Sequence, residues 1–348
     1  MYYRFGRLLS SWRFEKVSRS FLFATSVVVA VTSVPSFVTS SVLFADSSIT
    51  PLVASGLPMI VSELPVDIRK CEVTVYQFES CPFCRKARAV LDYCKIPYTI
   101  VEVNPLTKSE TKSFAADYKK VPILLVTDPA SKQQYQIRDS KMIVKAVLSS
   151  AGMTNTGSLR TPLPKDAKLN EETVLNASTW EACGSTDEAW IKWIEAYLLQ
   201  LVVVNIYGTL AESRETFDYL LTHKDFGWVA REASYWAGSL VMNLVAKSRL
   251  KKFGAIPKGE QRAAFFDACQ VLGNAANGEF LGGATPSAAD INAYGVIRSL
   301  EGTRTLKEAI EGGAGDEFKL WYANMNTVVG PSQAKAKASN ATTRGKSA

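Results

Sequence analysis

The feature that most constrains this chain is a pair of cysteines three residues apart, Cys81-Pro82-Phe83-Cys84, set where one periodicity gives way to another. Before it, Val73, Val75 and Gln77 alternate with Thr74, Tyr76 and Phe78, the two-residue repeat of a strand. After it, Ala87, Val90 and Leu91 share one side of a helical repeat, with Arg85, Lys86 and Arg88 on the others. Pro82 suits a first-turn position, where its missing N–H and fixed φ do no harm. A cysteine at that junction meets unsatisfied helix N–H groups and the positive end of the helix dipole, both of which favour the thiolate. Cys81 is therefore the candidate nucleophile. Cys84, one turn on, can attack a mixed disulfide formed there. Such a pair could instead be half of a zinc site. No second Cys-x-x-Cys or Cys/His pair follows at ligand spacing and the chain has one histidine, so thiol chemistry is preferred and no metal is assigned.

The pattern continues over residues 71–150. A strand at 73–78 leads into a helix over about 82–94, ending before Ile96-Pro97. Tyr98–Val103 alternates as a second strand, and Lys108–Tyr118 is a polar helical piece. Val121–Val126 is a buried strand, Asp128–Lys132 a hairpin turn, and Tyr135–Ile137 the partner strand. Asp139-Ser140 then opens a helix carrying Met142, Ile143, Ala146 and Val147. The order β-α-β-α-β-β-α is that of an α/β thioredoxin-like domain of the glutaredoxin type. Residues 151–186, rich in Gly, Thr, Pro and Asn, read as a linker. From 187 to 330 the chain is all helical, beginning with Trp190, Trp193, Ile194, Tyr197, Leu198 and Leu201 at spacings of three and four. Helices are expected over 213–223, 226–250, 259–277, 287–300 and 316–329. The stripe of Tyr235, Trp236 and Met242 is expected in the helix core, and His223 at the surface or in a cap. The tail, 331–348, is Ala/Lys/Ser/Thr-rich and expected to be disordered.

At 348 residues and 47% hydrophobic, the chain can bury about two domain cores, and six cysteines are too few for a disulfide scaffold, which favours a reducing compartment. A net charge of +7 would suit nucleic acid if it lay on a folded face. It does not. Residues 1–20 carry five basic side chains against Glu15, and the tail carries Lys335, Lys337, Arg344 and Lys346 with no acid, leaving the middle slightly acidic. Nucleic-acid binding loses its support. The Arg- and Ser-rich leader is like a mitochondrial presequence. Residues 21–45 carry no charge until the following Asp46 and are long enough to cross a bilayer once, and 46–70, with Pro51, Pro58 and Pro65, reads as a linker. The expectation is a membrane-associated, single-pass protein, mitochondrial rather than Golgi.

A thioredoxin-like unit followed by an all-helical one is the plan of glutathione transferases, and Ser287-Ala-Ala-Asp290 resembles that family's N-capping box. More specifically, the chain resembles the type 2 prostaglandin E synthase family over roughly residues 72–325. The resemblance runs through Tyr76-Gln77, Cys81-Pro-Phe-Cys84, Val101-Glu-Val-Asn-Pro105, Tyr118-Lys-Lys-Val-Pro-Ile123 and Asp139-Ser140. In the helical half it takes in Trp193, Asn205-Ile-Tyr207, Phe217-Asp-Tyr219 and Ala293-Tyr-Gly-Val-Ile-Arg298. It implies a glutathione-dependent isomerase converting prostaglandin H to prostaglandin E, with Cys81 the essential thiol and Cys84 less critical. Phe83, Val121, Pro122, Asp139 and Ser140 match the positions that hold glutathione. In such folds the Val-Pro bond is cis and leaves the Val121 backbone free for a peptide-like ligand, while a helix start offers N–H groups to a carboxylate. In the family, glutathione's thiolate can also ligate haem, so haem stands as an open cofactor. The partners implied are glutathione, a lipid endoperoxide or a thiol/disulfide substrate, and a membrane, with a homodimer left open. Two residues depart from the family pattern: Phe78 stands where it has Tyr, and Tyr207-Gly208-Thr209 where it has Tyr-Arg-Thr. The alternatives are a glutaredoxin-like thiol–disulfide oxidoreductase or glutathione transferase, and a non-enzymatic glutathione/haem-binding module.

The leader carries a direct test. After carbonate extraction the full-length, uncleaved protein is expected in the membrane pellet; its release to the supernatant would contradict an anchor.

Overall fold

A computed structural model describes residues 56–153, 186–222, 227–253 and 259–335. The leader, the charge-free run, Cys183 and His223 lie outside these residues.

The strands are β1 (Met59–Ile60), β2 (Glu72–Gln77), β3 (Thr99–Glu102), β4 (Ile123–Thr127) and β5 (Gln134–Arg138). They form one mixed sheet in the order β1-β5-β4-β2-β3, with β2 parallel to β3 and antiparallel to β4. The alternation read in β2 holds, since Val73, Val75 and Gln77 are buried. Register aligns Val75, Leu124 and Ile137 in one row across three strands, all fully buried. Each such side chain contributes about 1.5–3 kcal/mol through burial. Helix α1 (Pro82–Tyr93) follows β2, α2 (Lys112–Ala115) is a single turn, and α3 (Ser140–Ser150) follows β5.

The helical half opens with α4 (Thr186–Trp193), a π-turn (Ile194–Leu198) and α5 (Leu199–Tyr207). By length and hydropathy Asp187–Tyr207 could span a bilayer, but 67% of it is buried in the protein, including Trp190, Trp193 and Leu201. It is a core helix. Then come α6 (Leu210–Phe217), α7 (Tyr219–Thr222), α8 (Trp228–Phe253), α9 (Gln261–Ala276), α10 (Ala288–Ile297), α11 (Arg304–Glu308) and α12 (Gly315–Val329). The capping box is formed: Ser287 Oγ accepts from Asp290 N at 3.2 Å, and Asp290 accepts from Ser287 N at 2.8 Å. Asp290 does more than cap. Its fully buried carboxylate also accepts from the N–H groups of Leu281 and Gly282 and from Trp321 Nε1.

Helix α1 is shared between the halves. One side packs on the sheet and α3; the other meets α10 so closely that a Cβ on Gly295 would lie 2.6 Å from the Lys86 Cα. The polar side of α1 is consequently buried, contrary to a solvated face. Lys86, fully buried, donates to Glu195 at 2.8 Å, and Asp92 accepts from Arg298 at 3.0 Å.

Four expectations need correction. The stretch 46–70 is not all linker: β1 pairs with β5 at the sheet edge, and Ile68, in a short 3-10 turn (Ile68–Lys70), is fully buried in the core. The helix expected over Lys108–Tyr118 shrinks to α2. Asn104 Oδ1 accepts from Leu106 N and Thr107 N, and this local turn competes with a polar segment that has little apolar face to bury. The first residues of the tail are ordered: Tyr98 bonds through its backbone to Gln333 and Lys335, and Asp92 accepts from Gln333 N. Trp236 is not in the core but 52% exposed. Helix α8 instead turns Ser234, Ser239 and Asn243 inward, and Gly238 lets it approach Phe217, where a Cβ would lie 2.9 Å from the ring.

Asp290→Ala strands several buried donors and is expected to lower stability by about 3–5 kcal/mol, read as a fall in the urea midpoint. Asp290→Asn keeps one acceptor oxygen and should lose less; equal, small losses would contradict this role.

Candidate active site at the Cys81 turn

Strand register gathers the candidate residues. Gln77 faces Glu102 across β2–β3, Tyr76 faces Ile123 across β2–β4, and Ile123 faces Arg138 across β4–β5. The turn Phe78–Cys81, the Val121-Pro122 dipeptide and Asp139-Ser140 therefore all leave the sheet at one edge. The Val121-Pro122 bond is cis, as expected. Asp139 caps α3, its Oδ1 accepting from Lys141 N at 2.8 Å, with a positive φ of 76° that turns the chain into the helix. Ser140 is buried behind it, Pro122 is buried, and Val121 and Phe83 are partly exposed.

Cys81 is the N-cap of α1 and Pro82 its first residue. Both thiols are free, Cys81 partly exposed and Cys84 buried. The Cys84 thiol donates to the Cys81 sulfur and, against the opposing effect of burial, lowers the Cys81 pKa. The backbone N–H groups of Cys84 and Phe83 act in the same direction. Burial and the neighbouring Cys81 push Cys84 the other way. Burial likewise raises Cys71 and Cys269, and Cys94 to about 12. Among the described cysteines Cys81 has its pKa lowered while Cys71, Cys84, Cys94 and Cys269 have theirs raised, and Cys84 is in reach of it as a hydrogen-bond donor.

The turn is held by residues that sequence reasoning did not single out. Glu79 binds Arg85 at 2.7 Å and Arg88 at 2.9 Å, tying the turn to α1. Glu102, buried at the end of β3, accepts from Glu79 N at 2.8 Å. Ser80 Oγ lies 3.3 Å from the Tyr207 hydroxyl, which reaches in from α5. Beside the turn is a cavity of about 250 Å³, with Glu79, Ser80, Arg85, Tyr219 and Glu301 in its wall. A signal was present in the sequence: Glu102 ends an otherwise apolar strand, where a carboxylate has no place without partners. Phe78 carries a cation on its ring face, Lys108 Nζ standing 5.0 Å from the centroid.

Residues 75–154 match the sequence model of the glutathione S-transferase N-terminal domain. Residues 75–154 thus belong to a thioredoxin-like unit with a mixed sheet, similar to the glutathione S-transferase N-terminal domain, and a run of helices follows it. The chain resembles prostaglandin E synthase 2. The protein of that name from Mus musculus is 28% identical over 279 residues, covering 74% of this chain and 70% of its own length. The one from Danio rerio is 29% identical over 277 residues, covering 73% and 70%. A glutathione transferase family member from Pseudomonas fluorescens, crystallised with two glutathione bound, aligns at 18% identity over 76% of this chain and 93% of its own, with a TM-score of 0.37.

At pH 7 Cys81 is expected to alkylate about tenfold or more faster than Cys71, Cys84, Cys94 or Cys269, since each pKa unit is a factor of ten in thiolate below the pKa. Removing the sulfur donor in Cys84→Ala raises the Cys81 pKa and slows its labelling at pH 6–7 several-fold. Mass-spectrometric mapping that finds uniform labelling would refute the asymmetry.

Proposed function

We propose that this chain is a membrane-associated, glutathione-dependent enzyme that isomerises prostaglandin H to prostaglandin E through Cys81. The observation that carries the reading is a partly exposed thiol of lowered pKa at the start of α1, beside the cis Val121-Pro122 and the start of α3. The relatives named prostaglandin E synthase 2 support the reaction class. In this reading glutathione pairs its main chain with the Val121 backbone against Pro122 and Phe83. Its carboxylate meets the N–H of Ser140, because Asp139 occupies the N–H of Lys141.

The chemistry asks for a soft nucleophile and a proton acceptor. Thiolate sulfur, from Cys81 or from glutathione, bonds to the endoperoxide oxygen on C9; the O–O bond breaks, and the C11 oxygen leaves as an alkoxide that takes a proton. Loss of the C9 proton then forms the ketone and expels the thiolate. Haem would be held through glutathione's sulfur, and no step here runs through it. Anchoring by residues 21–45, in a mitochondrial membrane, belongs to the same proposal.

One observation favours a second reading. Cys84, hydrogen-bonded to Cys81, also stands where a resolving thiol would, which suits glutaredoxin-like thiol–disulfide exchange. Product assay separates the two. With prostaglandin H and glutathione, the native protein is expected to form prostaglandin E, and Cys81→Ser to lose that activity. Phe78→Tyr restores the hydroxyl that the resembled family pattern has at this position. A hydrogen bond to a charged group contributes about 1.5–3 kcal/mol, so the rate should rise roughly ten- to a hundredfold with little change in glutathione affinity. Prostaglandin E formation unchanged in Cys81→Ser would reject Cys81 as the thiol; no prostaglandin E from the native protein would reject the isomerase, and reduction of a glutathione mixed disulfide in its place would establish the second reading.

A further inference from the structure

Two carboxylates lie beneath the Cys81 turn, and their surroundings differ. The side-chain nitrogen of Gln77 donates to both, at 2.7 Å to Glu79 and 3.3 Å to Glu102. Glu79 has two arginines, Arg85 and Arg88, and although burial opposes it, these hold its pKa below the usual range. Among the described residues no Lys or Arg pairs with Glu102, which is 3% exposed. Its partners are the Glu79 N–H, the Gln77 amide and the phenol of Tyr219, which reaches in from α7. Two anions sharing one amide oppose each other's charge, and Glu102, the buried one without a cation, takes the proton more readily.

We propose that Glu102 is a positioning residue for Cys81: its buried carboxylate locks the turn carrying the thiol, and its charge state sets how readily that thiol ionises. The inference rests on Cys81 being the reactive thiol. The link is short in the chain and in space. Glu102 fastens the backbone of Glu79, two residues before Cys81, and Val103 N donates to Gln77 O at 2.9 Å to close the same corner. Burial raises the Glu102 pKa to about 7, outweighing the bonds from Glu79 N and Tyr219. The groups facing it are Glu79, Gln77, Tyr219 and, through their charge, Cys81 and Cys84. Tyr219 and Ser80 line the cavity beside the turn, which gives a proton a path to this corner. The sign is fixed by charge. Below pH 7 Glu102 is neutral and leaves the Cys81 thiolate undisturbed; above it, the carboxylate opposes a second negative charge and raises the thiol's pKa. Reactivity is thereby held more nearly constant across neutral pH than a lone thiol would allow.

The test is the rate of Cys81 carbamidomethylation from pH 5 to 9, mapped by peptide mass spectrometry, in the native protein and in Glu102→Gln and Tyr219→Phe. The native profile should be shallow, with a step near pH 7. Glu102→Gln should give a single titration without the step, with faster labelling above pH 7, where the native carboxylate is charged, and no change below it. Tyr219→Phe removes a donor to the charged carboxylate, so its step should move to higher pH; this variant leaves the strand itself intact if Glu102→Gln fails to fold. If Cys81 is selectively labelled but both variants overlay the native profile, or only scale it uniformly, this inference fails alone. If Cys81 is not the fast thiol in the native protein, the underlying reading fails, and this one with it.

Discussion

Helix α1 must fit two surfaces at once, and the molecule depends on that fit. On one side it completes the sheet core; on the other it lies against α10 at a distance that only a glycine at 295 allows. Contact this close turns the polar side of α1 into an interface, so its charges need partners from the helical half. Lys86 finds Glu195, Asp92 finds Arg298, and Arg85 finds Glu301. Removing Glu195 or Arg298 would leave Lys86 or Asp92 as a buried charge without its partner, at a cost of about 3–5 kcal/mol, so these ions specify the arrangement even where their net contribution is small.

The same fit fixes the chemistry. Because α1 cannot slide, its N-terminus, with Cys81, stays in register with the Val121-Pro122 dipeptide and the start of α3. Tyr207 and Tyr219 are held behind the turn by the helical half. The two thiols, three residues apart, are driven in opposite directions: Cys81 at the helix end accepts from the Cys84 thiol and from backbone N–H groups, and Cys84 a turn deeper is desolvated and gives up that hydrogen bond if it ionises. On the proposed reading the nucleophile is the outer sulfur, whatever substrate is used.

Much of this was legible in the sequence. The alternation of Val73, Val75 and Gln77, the Cys-Pro-Phe-Cys junction, the Val-Pro dipeptide and the Ser287–Asp290 box are local signals with local causes, and each appears where periodicity or capping puts it. What was hidden depends on tertiary contact. Lys86 sits in a helical repeat with charged neighbours and is buried where Gly295 admits a second helix, while Arg88 is buried against Glu79 and Tyr98. The edge pairing of Met59-Ile60 and the return of Gln333 to Tyr98 are long-range and leave little pattern in short segments. Trp236 misled because a large apolar residue suggests core, whereas α8 packs through small ones. At the site, Glu102 lay inside the strand read over Tyr98–Val103, but its partnership with Gln77, Glu79 and Tyr219 needed the fold.

The central claim is that Cys81 is a reactive thiol at an edge shaped for a glutathione-like peptide. Trapping tests it most directly: Cys84→Ser protein is incubated with glutathione disulfide, and the adduct is located by intact mass and peptide mapping. The account predicts one glutathionyl group, on Cys81, formed quickly near neutral pH and released by a reducing thiol. An adduct confined to the partly exposed Cys71, or none at all, would contradict it.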